Sequence, residues 1–220
     1  MEKILIVGSS GHALVVVDIV ENEHRYKIFG LIDPFKEADT VVSGYSILGS
    51  HKDMPRLSKE MGAFKTIVGI GDNWDRYSVY EEIKIICADM KFASTRHPFS
   101  QVGKAVSIGE GSVVMPGAVI NYGAQIGKFC IVNTAASIDH ECIIDDFVSI
   151  APGTNIGGQV KVGKYSSISL GAKIIQKVSI GKHVVVGAGA VVLDDLPDRV
   201  VAYGAPARIV RQREVGEKYF

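Results

Sequence analysis

From Val102 to Val192 an aliphatic β-branched residue returns at every sixth position without a miss: Val102, Ile108, Val114, Ile120, Ile126, Val132, Ile138, Ile144, Ile150, and so on through Ile180, Val186 and Val192. Two positions before it the residue is nearly always small or β-branched, as at Ser112, Ala118, Ala124, Cys130, Ala136, Cys142, Thr154, Ser166, Ala172 and Ala190. In an extended strand residues i and i−2 share one face, so each pair points inward together. A period of six matches neither the 3.6-residue helix nor the heptad. The position after each aliphatic is Gly, Asn or Asp in eleven of sixteen hexads. These are the residues that tolerate positive φ, so the spacing predicts that the corner turns there. Short strands closed by a corner every six residues describe a parallel β-helix.

The pattern resembles the hexapeptide-repeat acyltransferases. That resemblance implies a triangular prism wound left-handed, against the right-handed rule for ordinary parallel crossovers. With three hexads to a coil, the repeats make about five turns, on the order of 25 Å of prism at the spacing of stacked strands. After Val192 the hexad stops, and Asp194-Asp195-Leu196-Pro197 is expected to turn the chain out. The ends of an open coil need covering, by the N-terminal domain at one end and the basic tail with Arg211 and Arg213 at the other.

Residues 1–96 carry a different pattern and are expected to form a Rossmann-like α/β domain, with 97–220 as the prism and its tail. Lys3 to Val7 reads as a buried strand, Gly8-Ser9-Ser10-Gly11-His12 as a tight turn and Ala13 to Asn22 as a helix. A helix N-terminus after a glycine-rich turn suits a phosphate, although many such turns use glycine only to turn. The strand Lys27 to Ile32 ends in Asp33-Pro34, at the sheet edge where ligands sit in doubly wound folds; a cap or turn is the plainer role for that carboxylate. Further elements are expected at Ser46–Leu48 (strand), Lys52–Met61 (helix), Thr66–Ile70 (strand), Trp74–Met90 (helix) and Lys91–Thr95 (strand). His97-Pro98 breaks the last of them.

Lys plus Arg equals Asp plus Glu at 24 each, so nothing in the charge points to nucleic acid or a membrane surface. No apolar run is long enough to span a bilayer or to act as a signal peptide. Three cysteines without a CxxC form no disulfide framework, and Cys130 and Cys142 fall on inward positions, which fits a reducing cytoplasm. Outward apolar residues such as Val113, Val119, Ile131 and Ile143 would leave a prism face to be buried by cyclic association.

The prism holds two histidines, His140 and His183. His140 falls at an outward corner between Asp139 and Glu141. It reads either as ordinary surface or as a general base oriented by Glu141, with Asp139 in the positive-φ slot. The Gly8–His12 turn, Asp33-Pro34, Gly71-Asp72-Asn73 with Arg76, His97-Pro98 and Asp139-His140-Glu141 together resemble the bacterial sugar-nucleotide N-acetyltransferases, whose sister group is the sialic acid O-acetyltransferases. The resemblance spans the whole chain. It implies transfer of acetyl from acetyl-CoA to the 4-amino group of a nucleotide-linked deoxysugar in bacterial surface-glycan synthesis, with no metal. His140 is then the base and Glu141 its partner. Gly8, Gly11, His12, Asp33, Asn73 and Asn133 match substrate-binding positions, and Ser149, Gly158, Leu170, Gly171, Gly189 and Arg208 coenzyme positions. Gly187 is a further site of close backbone approach. The family commonly has an asparagine where this chain has Asp72. Gly204-Ala205-Pro206-Ala207-Arg208 resembles the ending common to the acyltransferase superfamily, and members are typically trimers with sites between protomers.

Three other readings compete. A zinc hydratase on the same prism needs three imidazoles, and this prism has two. A non-catalytic scaffold leaves the His-Glu pair and the Pro-Ala-Arg ending without a purpose. An O-acetyltransferase of sialic acid shares the base, so His140 does not separate it from N-acetylation.

Overall fold

The computed structural model describes residues 1–218, which divide into two compact units meeting between Pro98 and Phe99. The sheet of the first consists of β1 (Glu2–Val7), β2 (Tyr26–Ile32), β5 (Lys65–Val68) and β6 (Lys91–Phe92), all parallel and standing in the order β2-β1-β5-β6. Helix α1 (Gly11–Glu23) links β1 to β2, α2 (Met54–Met61) precedes β5, and α3 (Asn73–Ile86) links β5 to β6. Ile4, Leu5, Ile6, Leu31, Ile32 and Ile67 are fully enclosed, as expected of a parallel sheet covered on both faces. Because β1 has β2 on one side and β5 on the other, the strand order reverses at β1. The turns that leave β1 and β5 flank that switch point, where open α/β sheets bind ligands.

Several boundaries differ from those expected. Ser46–Leu48 is not a sheet strand: β4 (Tyr45–Ser46) pairs antiparallel with β3 (Val41–Val42), and Ile47 bridges Leu31. The strand expected at Thr66–Ile70 ends at Val68, because Gly69 packs so close to α1 that a Cβ there would stand 3.0 Å from Ala13 Cα. Helix α3 stops at Ile86 rather than Met90, since Cys87 leaves the helical region (φ −135°, ψ 77°). The strand expected over Lys91–Thr95 is two short pieces, Lys91–Phe92 and Thr95–Arg96.

The second unit is a parallel β-solenoid of about six turns. Val114 pairs with Val132 and Val132 with Ile150, so one coil takes three hexads. Every aliphatic from Ile120 to Val192 in the series faces a dry interior, joined by Ala118, Ala124, Cys130, Ala136, Cys142, Ala172 and Ala190. At roughly 1.5–3 kcal/mol per buried aliphatic, this column is the main source of the prism's stability. Polar residues at the small inward position satisfy themselves on the next coil. Ser112 Oγ donates to Gly127 O (2.8 Å) and accepts from Cys130 N (2.9 Å), and Ser166 Oγ repeats this with Gly181 O and Val184 N.

The corners correct the sequence reading. Positive φ falls on the third residue after each aliphatic, from Ala105 and Gly111 through Glu141 and Gln159 to Gly189, and not on the first. Asp139 therefore does not occupy a positive-φ slot. Glycine at the first position answers a different demand, close stacking of coils: a Cβ on Gly109 would stand 2.6 Å from Gly127 C, and one on Gly163 2.7 Å from Gly181 C. The aromatic third-position residues Phe129, Phe147, Tyr165 and His183 stack ring on ring at 5.0, 5.5 and 4.8 Å, which offsets the cost of their left-handed backbone.

Two further expectations change. The chain does not leave the prism at Asp194–Pro197: Leu196 is buried and bridges Ile180, and Val200–Gly204 stacks parallel on Val185–Val186. Asp195 and Asp198 accept from Ser179 N and Lys182 N at 2.7 Å and hold this last irregular coil. Ala207–Gln212 then folds back antiparallel on Val200–Gly204. Of the supposed outward apolar residues, Val113 and Ile131 are already buried within the protomer, Val119 is half-buried, and Ile143 is exposed.

Candidate functional site

In the N-terminal unit the turn after β1 and the end of β2 bring four of the candidate residues together at the carboxyl edge of the sheet. Gly8 has φ 103° and lies against Gly69 O, so a side chain fits neither its backbone nor its space. Ser9 Oγ donates to Asp33 Oδ2 at 2.5 Å, and Asp33 Oδ1 accepts from Phe35 N at 3.0 Å. Asp33 thus ties the end of β2 to the β1 turn, which realises both the cap and the edge position. Nothing stands within 4 Å of a Cβ on Gly11, at the N-terminus of α1, so that corner is open. The His12 ring lies beside Gly71; its Nε2 is buried without a hydrogen-bond partner, and burial with nearby Arg76 pushes its pKa down to about 4. The imidazole is neutral at physiological pH.

The turn after β5 supports this edge from below. Asp72 caps α3 by accepting from Trp74 N (2.9 Å) and Asp75 N (3.0 Å). Arg76, 1% exposed, donates to the carbonyls of Ile70, Gly71 and Asp72 and to Asn73 Oδ1. Asn73 is itself buried, so it holds the turn through Arg76. Of the two helix N-termini on this sheet edge, that of α3 is capped by the Asp72 carboxylate, whereas that of α1 has no side-chain cap and keeps its N–H groups for a ligand.

In the prism, His140 and Glu141 come together as the sequence suggests. His140 Nδ1 lies 3.2 Å from Glu141 Oε2. An ionised carboxylate only accepts, so this geometry suits a proton on Nδ1, which in the neutral ring leaves Nε2 as the acceptor. The left-handed backbone of Glu141 (φ 58°) turns its side chain beside the preceding ring. Hydrogen bonds from Gln159 Nε2 (3.0 Å) and then from His140 hold the Glu141 carboxyl below the usual carboxylate range. Asp139 Oδ1 accepts from His140 N (2.8 Å) and Asn121 Nδ2 (3.0 Å), and these bonds lower its pKa likewise. Gly158 lies directly against the imidazole. Asn121 and Gln159 were not anticipated, yet the signal existed: each stands one full coil from its partner in the hexad count.

The other prism candidates lie elsewhere. Asn133, Leu170, Gly171 and Gly189 occupy the preceding corner, after the strands Ile131–Val132, Ser167–Ile168 and Val185–Val186. Asn133 Oδ1 accepts from Thr134 N. Leu170 is exposed, and nothing stands within 4 Å of a Cβ on Gly153, Gly171 or Gly189, so these glycines leave an open ridge along this corner. Gly187 is not open, because the Tyr203 ring fills the place of its side chain. Ser149 is buried within its strand, and Arg208 is exposed, 3.9 Å from Asp194. A single prism therefore does not bring His140 and the glycine ridge to one corner. Cys130 and Cys142 are buried, their thiols donating to Asp145 O and Gly157 O, and burial pushes the Cys142 thiol up. Neither is a nucleophile. Among the described residues no three His, Cys, Asp or Glu side chains gather as a metal site, and no helix is long and apolar enough to cross a membrane.

Residues 3–83 match the PglD N-terminal domain family. The chain is similar to a mutant of perosamine N-acetyltransferase from Caulobacter crescentus, solved with CoA and GDP-perosamine: 32% identity over 96% of this chain and 98% of that one, TM-score 0.88. It is also similar to the acetyltransferase domain of PglB from Neisseria gonorrhoeae in complex with acetyl coenzyme A, at 33% identity over 95% and 99% of the two chains, TM-score 0.87. WeeI from Acinetobacter baumannii matches at 26% identity over 96% and 100%, TM-score 0.82. No curated protein sequence matches the chain.

Proposed function

This chain belongs to the hexapeptide-repeat sugar-nucleotide N-acetyltransferases, and from that premise we propose how its residues divide the work of moving an acetyl group from acetyl-CoA to a nucleotide-linked amino sugar. The acceptor we infer is the 4-amino group of a deoxysugar, as on the GDP-perosamine held by the similar Caulobacter enzyme. The N-terminal unit takes the nucleotide. Its turn at Gly8–His12 with the uncapped N-terminus of α1, and Asp33 beside it, supply hydrogen bonds for a ribose and diphosphate, while Asn73 and Arg76 hold the neighbouring turn in place.

His140 carries the chemistry. As the neutral amine attacks the thioester carbonyl, Nε2 accepts its proton, and Glu141 stabilises the imidazolium that forms. A C–N bond forms, a backbone N–H of the neighbouring coil steadies the oxyanion, and the C–S bond breaks. The proton on Nε2 then passes to the departing thiolate. The observation that carries this reading is the Glu141–His140 pair, with Nδ1 committed to the carboxylate and Nε2 left as the base.

The open glycine ridge with Leu170, Gly171 and Gly189, followed by Arg208, suits an extended coenzyme arm and its phosphates. Its separation from His140 within one prism supports a homotrimer in which the ridge of one copy meets the His140 corner of the next. Light scattering on the eluting protein should give three times the chain mass. Three free cysteines among the described residues fit a cytoplasmic setting. The direct test is thiol release from acetyl-CoA with UDP-, GDP- and dTDP-linked 4-amino-deoxysugars and with free sialic acid. Turnover of one nucleotide amino sugar supports the assignment; turnover of sialic acid alone would reassign the N-terminal unit.

A further inference from the structure

His140 stands on a corner that recurs once per coil as Asn121-Tyr122-Gly123, Asp139-His140-Glu141, Gly157-Gly158-Gln159 and Ile175-Gln176-Lys177. The middle position carries Tyr122, His140 and Gln176 in the other coils, so the coil itself does not demand a glycine there. Gly158 is not among the positive-φ residues either, so its backbone accepts a side chain without strain. The imidazole occupies that place, so a side chain there would have to displace the ring. A Cβ on Gly158 would stand 2.5 Å from His140 Nε2, 2.7 Å from Cε1 and 3.0 Å from Cδ2.

Gln159 repeats the position and left-handed backbone of Glu141 one coil later (φ 60° and 58°). Its Nε2 donates to Glu141 Oε2 at 3.0 Å, the same oxygen that faces His140 Nδ1 at 3.2 Å. An exposed glutamate held from one side rotates freely about its side-chain bonds, and losing that freedom costs entropy when it must meet the ring. Held from both sides, the carboxylate is already in place, which is how a supporting residue preorganises an acid–base pair.

We propose that Gly158 and Gln159 are positioning residues for His140: Gly158 seats the imidazole and Gln159 fixes the carboxylate that selects its tautomer. The proposal rests on His140 being the base. It gives Gly158 a steric role toward the ring, separate from any contact with coenzyme.

Two measurements on the full-length protein test it. With protein labelled with ¹⁵N at histidine, long-range ¹H–¹⁵N spectra assigned through His140→Ala should show the Nδ1–H tautomer in the wild type. Gly158→Ala and Gln159→Leu should each shift the ring toward the other tautomer. An unchanged ring in both variants would overturn the proposal without touching the role of His140.

In kinetics with acetyl-CoA and the 4-amino-sugar nucleotide that the wild type turns over, Gly158→Ala should lower kcat about 10²-fold and Gln159→Leu about tenfold, with little change in KM for acetyl-CoA. Neither loss should add to its parent: Gly158→Ala in a His140→Ala background, and Gln159→Leu in a Glu141→Gln background, should cost nothing further. A Gly158→Ala effect confined to KM for acetyl-CoA and persisting without the imidazole would mean that the glycine serves the coenzyme instead. Wild-type turnover by His140→Ala would remove the base itself, an outcome distinct from either.

Discussion

Gln159 and His140 meet at one oxygen, Glu141 Oε2, which the Gln159 amide reaches at 3.0 Å and His140 Nδ1 faces at 3.2 Å. The two residues come from successive coils, so the stacking that builds the prism also fixes the carboxylate beside the proposed base. Glu141→Gln keeps an acceptor beside Nδ1 but removes the charge that stabilises an imidazolium. It should lower kcat about tenfold or more and leave KM for acetyl-CoA unchanged, as read by steady-state thiol release. Unchanged turnover would make Glu141 a bystander.

Asp33 joins the β1 turn to the end of β2 through Ser9 Oγ and Phe35 N. Asp33→Ala loosens both and removes a carboxylate at the ligand edge. It should raise KM for the sugar nucleotide and spare KM for acetyl-CoA. The reverse pattern would mean that the N-terminal unit binds the donor.

His12 links stability to pH. Its folded pKa of about 4 lies below the ordinary 6.5, so an unfolded chain takes up the proton first as pH falls. The stability tied to neutral His12 is whole above about pH 6.5 and lost on the way down to about 4. The difference between those two values corresponds to about 3 kcal/mol at most. Melting temperature measured across that window should fall less steeply in His12→Gln than in the wild type; parallel curves would contradict the burial of the ring.

Ile150 is fully enclosed in the middle of the prism. Ile150→Ala removes three buried carbons between stacked coils that cannot close the gap without breaking register, and should cost about 2–5 kcal/mol in denaturant unfolding. A loss under about 1 kcal/mol would mean that the interior is far looser than its burial implies.

The aliphatic series read directly from the sequence because every inward position repeats the same demand, dry packing against the coil before and after. The corners were less legible. Gly109, Gly127 and Gly163 looked like sites of positive φ, but a glycine has two uses, and these serve close stacking of coils. The left-handed positions carry Phe129, Phe147, Glu141 and Gln159, residues whose stacking or hydrogen bonds offset the strain and which propensity alone would never place there. His140 and Glu141 were visible as neighbours. Asn121, Gly158 and Gln159 were not, since their contact with the pair exists only when the chain is read coil by coil, three hexads at a time. The last coil at Leu196–Ala202 escaped notice because it is two residues shorter than the others, with Leu196 rather than Asp198 meeting Ile180, while Asp195 and Asp198 replace regular register with side-chain bonds.

Most of this turns on the lone pair of His140 Nε2, and the turnover of His140→Ala is the direct measurement. With acetyl-CoA and a nucleotide-linked 4-amino sugar accepted by the wild type, kcat should fall about 10²–10⁴-fold while acetyl-CoA affinity changes little. A variant that turns over at the wild-type rate would place the proton acceptor elsewhere and leave the Glu141–Gln159 arrangement without a catalytic purpose.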